Sequence, residues 1–256
     1  VEQEMLRVEQ EGGVLRVLLN RPEKRNALSR ALLKCIEDAF TEQAANNSLL
    51  AAVITGAGDK SFAAGGDLAD LGTVRTPEAT REMAAGARAA LDAIRNFPLP
   101  VIAALNGDAL GGGAELAVAC DFRVAAAHAR IGFLQSRLNI SSAWGGGGDL
   151  MELIGSKRAL KLLCTAEIVP PEKAIEIGLF DEVAGATRTL EETLKGFIDP
   201  LEKKSAQVLR AYKGMAIEAR RWSSRAEFDV VERDAFVETW VHPDHWAVAD
   251  NILKKS

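Results

Sequence analysis

No run of apolar residues in this 256-residue sequence approaches the length of a membrane span, so no membrane-embedded segment is expected. The opening stretch VEQEMLRVEQ is acidic and lacks an apolar core, so it does not read as a signal peptide. Long blocks of like charge are missing too, and the net charge is −5. A nucleic-acid binder normally shows a basic face, and the sequence offers none. Cysteine is scarce: Cys35, Cys120 and Cys164 are odd in number, widely spaced and set in apolar helical contexts. They read as reduced core residues, not as a disulfide framework or a zinc site, and point to a reducing, cytoplasmic compartment. The histidines, His128, His242 and His245, lack the company of other metal-ligating residues, so no metal is expected. The phosphate loop G-x-x-x-x-G-K-[ST] and the nucleophile elbow G-x-S-x-G are also absent.

What the sequence does contain is glycine at the ends of short apolar runs. The stretch from Asn106 to Asp121 reads NGDALGGGAELAVACD. An apolar run, Val101 to Leu105, stops at Asn106-Gly107. Gly111, Gly112 and Gly113 follow, and then a helical pattern carries Ala114, Ala117 and Val118. Consecutive glycines cost backbone entropy and give no packing, so they belong where a backbone must approach something closely or take a positive φ. The helix after them leaves its first N–H groups unpaired and attracts negative charge. Glu115 stands in that first turn, either as an acid favoured by the helix dipole or as a chemical group beside a bound oxyanion.

The length suits a large single core. Val14 to Leu19 reads as a strand ended by Asn20-Arg21-Pro22. Ser29 caps a helix whose core face is Leu32, Cys35, Ile36, Ala39 and Phe40. Ala51 to Thr55 is a buried strand, and Ser61 to Leu68 a second small-residue turn. Thr76 with Pro77 opens a helix lined by Met83, Ala87, Leu91 and Ile94. Phe122–Ala125, Ile131–Leu134 and Phe180–Val183 are further short strands. Ser156–Cys164 is helical, and Pro170-Pro171 starts a helix that ends at Gly178. From Thr189 the chain turns helical, with capping boxes at Thr189/Glu192 and Ser224/Glu227. Phe228, Val231 and Ala235 form one apolar face there, and Trp246, Ala249 and Leu253 another. The pattern is an α/β core with parallel strands over residues 1–188 and a helical part over 189–256.

Two glycine turns, 63–66 and 111–113, each stand between a strand and a helix. One backbone N–H from each makes an oxyanion hole, which stabilises a carbonyl oxygen as it gains charge; for a thioester the stabilised species is an enolate.

These residues together resemble the crotonase (enoyl-CoA hydratase/isomerase) superfamily. The carriers are Asn20-Arg21-Pro22 with Asn26-Ala27-Leu28, then Ser61 through Leu68, then Asn106-Gly107 through Leu116 and Cys120-Asp121. The resemblance implies a spiral of ββα repeats with a helical C-terminal trimerisation region, assembled as a trimer or a dimer of trimers. It implies an acyl-CoA substrate and no separate cofactor, coenzyme A entering as part of the substrate. Carried onto matching positions, the oxyanion donors are the N–H groups of Gly66 and Gly112. Ala63 and Ala64 meet the adenine, within a substrate-binding stretch that runs on through Gly65, Asp67 and Leu68 and includes Gly111. Lys24 and Arg25 lie near the CoA phosphates or, in the plainer reading, in a solvated turn.

Hydratases of this superfamily use two glutamates on a water molecule. The first matches Glu115; the position of the second holds Gln135, whose amide can hydrogen-bond but cannot act as a base at neutral pH. The segment Ser142-Ala143-Trp144-Gly145-Gly146 is similar to the branch that contains ethylmalonyl-CoA decarboxylases. Trp144 then either walls the leaving carboxylate or packs in the core, and Gln135 is either a site residue or a tolerated loop residue. The expected function is a lyase that decarboxylates a small alkylmalonyl-CoA through an enolate. The alternative is an enoyl-CoA hydratase/isomerase using Glu115 as acid/base, and a further one is a non-catalytic binder of acyl-CoA or RNA.

Overall fold

The computed structural model describes residues 5–185, 187–220, 233–234, 236–237 and 239–254. Among these, the strands form one sheet of six and one of four. In the large sheet β1 (Leu6–Glu11) pairs antiparallel with β2 (Val14–Leu19). The parallel strands β3 (Ala51–Gly56), β5 (Val101–Leu105), β7 (Phe122–Ala125) and β10 (Glu182–Val183) follow outward from β2 in that order. The small sheet runs β4 (Ser61–Ala63), β6 (Asp108–Leu110), β8 (Ile131–Gly132), β9 (Ile168–Val169), with only the last pair antiparallel.

The chain repeats one move. It lays a strand in the large sheet, crosses to the small sheet, and then enters helix. β3 and β4 lead to α2 (Leu68–Leu71) and α3 (Pro77–Arg95); β5 and β6 lead to α4 (Gly112–Ala119). β7 and β8 lead through a 3₁₀ turn, Gln135–Leu138, to α5 (Gly146–Ile154). The expected ββα repeat is therefore present, but four of the ten strands among the described residues were not foreseen. Ser61–Ala63 is a strand where a turn was expected. The strand expected over Ile131–Leu134 shortens to β8, and that over Phe180–Val183 to β10. β1, β6 and β9 were not expected at all.

Strand alternation divides the core. Ala52 and Ile54 of β3, with Val101, Ala103 and Leu105 of β5, face the main core. There they join Leu32, Ile36 and Phe40 of α1 (Arg30–Gln43) and Met83, Ala87, Leu91 and Ile94 of α3, the faces read from the sequence. Ala51, Val53, Ile102 and Ala104 point the other way, under Leu194 and Ile198 of α7 (Leu190–Glu202). Each fully buried large aliphatic side chain contributes about 1.5–3 kcal/mol.

The caps at Ser29, Thr76 and Thr189 form as expected, the last as a full capping box with Glu192. The Ser224/Glu227 box and the face of Phe228, Val231 and Ala235 lie outside the described residues. In the helical part Lys213 and Arg220, on Ala206–Arg220, both pair with Asp121, whose Oδ2 also accepts the N–H of Val101 at 2.8 Å. The cysteine expectation holds only in part. Cys120 is buried and Cys35 half-buried, but Cys164 is exposed, because α6 (Ser156–Thr165) turns Ala159 and Leu162 inward instead. Among the described residues no helix is long and apolar enough to cross a membrane, and no His/Cys/Asp/Glu group is arranged to hold a metal ion.

Candidate active site

Two asparagines fix the loop that delivers the first glycine turn. Asn26, buried and at φ 54, donates through Nδ2 to the carbonyls of Ala57 (3.0 Å) and Ser61 (2.8 Å) and accepts the N–H of Arg21. Asn106 accepts the N–H of Gly56 at 2.9 Å and donates to the Gly58 carbonyl at 2.8 Å. The crossing from β3 to β4 is thus pinned from both sides. Leu28 then pairs with the turn itself: its N–H donates to Gly65 O at 2.8 Å, and its carbonyl accepts from Asp67 N–H at 3.0 Å.

The second glycine turn packs directly on the first. A Cβ on Gly113 would stand 2.0 Å from the carbonyl oxygen of Ala63, a contact no side chain survives. A Cβ on Gly112 would stand 2.2 Å from Cζ3 of Trp144, and one on Gly66 would stand 3.6 Å from Cη2 of the same ring. One indole therefore lies over both glycines. Neither the Gly66 nor the Gly112 N–H donates a hydrogen bond to another described residue. Both glycines line a single cavity of about 310 Å³.

Glu115 lies in the first turn of α4, buried, and lines the same cavity. Its Oε1 accepts the N–H groups of Trp144 and Gly146, each at 3.2 Å, and its Oε2 accepts Gln135 Nε2 at 2.8 Å. The amide at 135 therefore lies against the carboxylate it was expected to partner. Its Oε1 is buried and has no hydrogen-bond partner. Trp144 is buried at 5% exposure and lines the same cavity. Leu71, Met83, Ile140, Trp240 and Ile252 make the rest of the enclosure largely apolar.

The other expected site residues divide. Ala64, Gly65, Leu68 and Gly111 line the cavity. Ala63 sits beneath it in β4, with its carbonyl against Gly113. The Asp67 side chain is committed elsewhere: it accepts from Arg21 Nη2 at 2.8 Å and caps α2 through Ala69 N–H. Lys24 and Arg25 are exposed in the Pro22–Lys24 turn region and do not line the cavity, though the Arg25 carbonyl accepts the N–H of Ala64 at 3.0 Å.

Sequence reasoning missed Arg95. It is buried at 5% exposure near the end of α3 and donates to Asp149 through Nε (2.9 Å) and Nη2 (2.7 Å). Nη2 also reaches the Trp144 carbonyl at 2.9 Å, and Nη1 reaches Asp92 at 2.6 Å. Burial opposes its charge, but the carboxylates of Asp149 and Asp92 outweigh burial and hold its pKa above the ordinary arginine value. Arg95 thereby fixes Trp144 from behind. The one local signal was an arginine one residue past the apolar face of α3. His245, marked in the sequence only as a histidine without metal-ligating company, is fully buried. Its Nδ1 pairs with the Leu138 carbonyl at 2.8 Å, at the end of the turn that carries Gln135.

A family model described as enoyl-CoA hydratase/isomerase matches residues 9–245. The chain belongs to that family. Among its curated relatives is the crotonyl-CoA hydratase of Syntrophomonas wolfei, 36% identical over 229 residues, or 90% of this chain and 87% of the relative. Another is the ethylmalonyl-CoA decarboxylase of Xenopus laevis, 32% identical over 210 residues, covering 81% and 70%. Of the solved structures, an enoyl-CoA hydratase from Bacillus anthracis superposes with a TM-score of 0.81 at 30% identity, covering 98% of this chain and 97% of that one. An enoyl-CoA hydratase/isomerase from Xanthobacter autotrophicus Py2 shares the fold at a TM-score of 0.89 and 24% identity, over 98% and 93%. This enoyl-CoA hydratase/isomerase family member thus has named relatives of both reaction types.

Proposed function

We propose that the chain is an acyl-CoA lyase that decarboxylates a small alkylmalonyl-CoA. The observation that carries this reading is the amide of Gln135 on the carboxylate of Glu115. A two-acid hydration lacks its second acid, whereas loss of CO₂ needs no base to remove a proton from carbon. The bond from Cα to the carboxylate breaks, its electron pair passes into the enolate, and the thioester oxygen takes the charge. The N–H groups of Gly66 and Gly112 receive that oxygen; one such donor is worth about 3 kcal/mol of barrier. Placed beside Glu115 and the Gln135 Oε1, both on the cavity wall, the carboxylate meets acceptors. Neither stabilises an anion, so the charge is more stable on the enolate oxygen. A proton then reaches Cα by way of a water held at Glu115.

A second reading is hydration of a 2-enoyl-CoA, favoured by the same unpartnered Oε1. With Glu115 it would seat a water by accepting its two hydrogens. Purified protein is mixed with ethylmalonyl-CoA and methylmalonyl-CoA, and CO₂ release is followed; in parallel, loss of 2-enoyl absorbance is followed with crotonyl-CoA. CO₂ release above background supports decarboxylation. No release from either malonyl thioester, with crotonyl-CoA consumed, replaces it by the second reading. In either case the compartment, the trimeric or hexameric assembly and the use of coenzyme A only as part of the substrate belong to the same proposal.

A further inference from the structure

Beside the reaction cavity lies a second depression, about 270 Å³, between α1 and α3. Leu33, Val74 and Ala87 give it an apolar floor. Arg30 and Lys34 stand on its rim, but their charges are already paired, Arg30 with Asp70 and Lys34 with Asp38, each at 2.8 Å. Glu37 and Glu82 line it too, so among the described residues an anion finds no free cation there, and the floor favours a hydrocarbon. Among the described residues, Met83 is the one that lines both this groove and the reaction cavity. It is buried, at 5% exposure, and forms the partition between them. Methionine is unbranched and has three rotatable bonds, so it can vacate a partition at small cost where a branched side chain could not.

We infer that Met83 is the chain-length gate of the acyl site, and that the groove between α1 and α3 takes the far methylenes of a longer acyl chain. The inference rests on the acyl-thioester reading of the cavity. With Met83 at rest the cavity ends on its side chain, which suits a short acyl group. When the side chain swings aside, the groove continues the apolar path, and each methylene that enters it strengthens binding roughly fourfold. One turn further along α3, Gly86 faces the groove with open space: a Cβ there meets nothing within 4 Å. A large side chain at 86 fills the groove without touching the reaction cavity.

The test is isothermal titration calorimetry of the full chain with butyryl-, octanoyl- and dodecanoyl-CoA, which carry no carboxylate to lose and no double bond to hydrate. Met83→Ala is expected to strengthen dodecanoyl-CoA relative to butyryl-CoA by more than tenfold. Adding Gly86→Trp removes that gain. Gly86→Trp alone weakens dodecanoyl-CoA several-fold and leaves butyryl-CoA unchanged, and this arm decides the matter should Met83→Ala not fold. If every variant keeps the wild-type chain-length profile, the gate is wrong although the acyl-CoA site stands. If the wild type binds none of the thioesters, the reading of the site itself is wrong.

Discussion

Gly112→Ala keeps the backbone N–H assigned to the oxyanion and adds one methyl group. That methyl lands 2.2 Å from Cζ3 and 2.7 Å from Cη2 of Trp144, where ordinary contact begins near 3.4 Å. The indole must therefore retreat by about 1 Å or more. Its backbone is held on both sides, the N–H by Glu115 and the carbonyl by Arg95, so it retreats only at a cost. Overpacking a filled interior costs about 1–3 kcal/mol. A displacement of ~1 Å among reacting groups costs about a hundredfold in rate. Gly66→Ala is milder, because its nearest neighbour, at 2.6 Å, is Leu71 Cδ1, the end of a flexible side chain. Urea unfolding gives the stability change, and CO₂ release, or crotonyl-CoA consumption if that is what the wild type performs, gives the rate. Trp144→Leu in the Gly112→Ala background relieves the clash, so a double-mutant cycle should show coupling of about 1 kcal/mol or more. Additive effects, or a Gly112→Ala enzyme with undiminished stability and rate, would refute the assignment of Trp144 as the wall over this donor.

Arg95→Met takes the buried guanidinium away from Asp149, Asp92 and the Trp144 carbonyl and should cost about 3–5 kcal/mol in urea unfolding; Asp149→Leu in the same chain should recover part of it. Burial above all lowers the pKa of His245, the Leu138 carbonyl opposes the shift, and Arg75 adds to it. The folded chain then holds fewer protons than the unfolded one below the ordinary histidine value near 6.5. Stability from this residue is thus complete above that pH and is lost as pH falls towards the folded pKa. Melting temperature should drop more steeply below pH ~6.5 in the wild type than in His245→Gln. Iodoacetamide should label exposed Cys164 in the native chain and spare Cys120, whose thiol burial pushes up to about 12, until the chain unfolds; peptide mass spectrometry reads the order. Gln135→Glu supplies the second carboxylate and should raise crotonyl-CoA hydration relative to CO₂ release, with an unchanged ratio counting against the role given to Gln135.

The sequence made the large sheet and the long helices legible because their signals are local. β2 and β3 are apolar runs bounded by turns, and α1 and α3 carry caps and a clear apolar stripe. The small sheet, apart from β8, was not legible. Its strands are two or three residues long, too short for any alternation to register, and contain glycine, serine and aspartate. β1 was missed because it is an edge strand with one buried residue in six. Gly66, Gly112, Glu115 and Gln135, which line one cavity, stood out in the sequence because a glycine run and a family pattern mark them. Arg95 was not, because its partner Asp149 lies 54 residues further on and neither position looks unusual alone.

Glu115 holds the fold and the site together. Its Oε1 receives two backbone N–H groups at the start of α5, and a Cβ on Gly146 would stand only 2.3 Å from its Cγ. Its Oε2 is turned towards Gln135. Removing the side chain, as in Glu115→Ala, strips two buried N–H donors of their acceptor and confounds folding with chemistry. Glu115→Gln is different. Its amide oxygen can keep the two backbone donors, while its NH₂ faces Gln135, and rotation of the Gln135 amide by half a turn presents an oxygen to it. Each of these three hydrogen bonds then has a counterpart, the Gln135 oxygen accepting one while its NH₂ takes the position that the oxygen leaves. The substitution disturbs the fold less than Glu115→Ala, and urea unfolding of the same variant separates the rate that belongs to the carboxylate from any loss of stability.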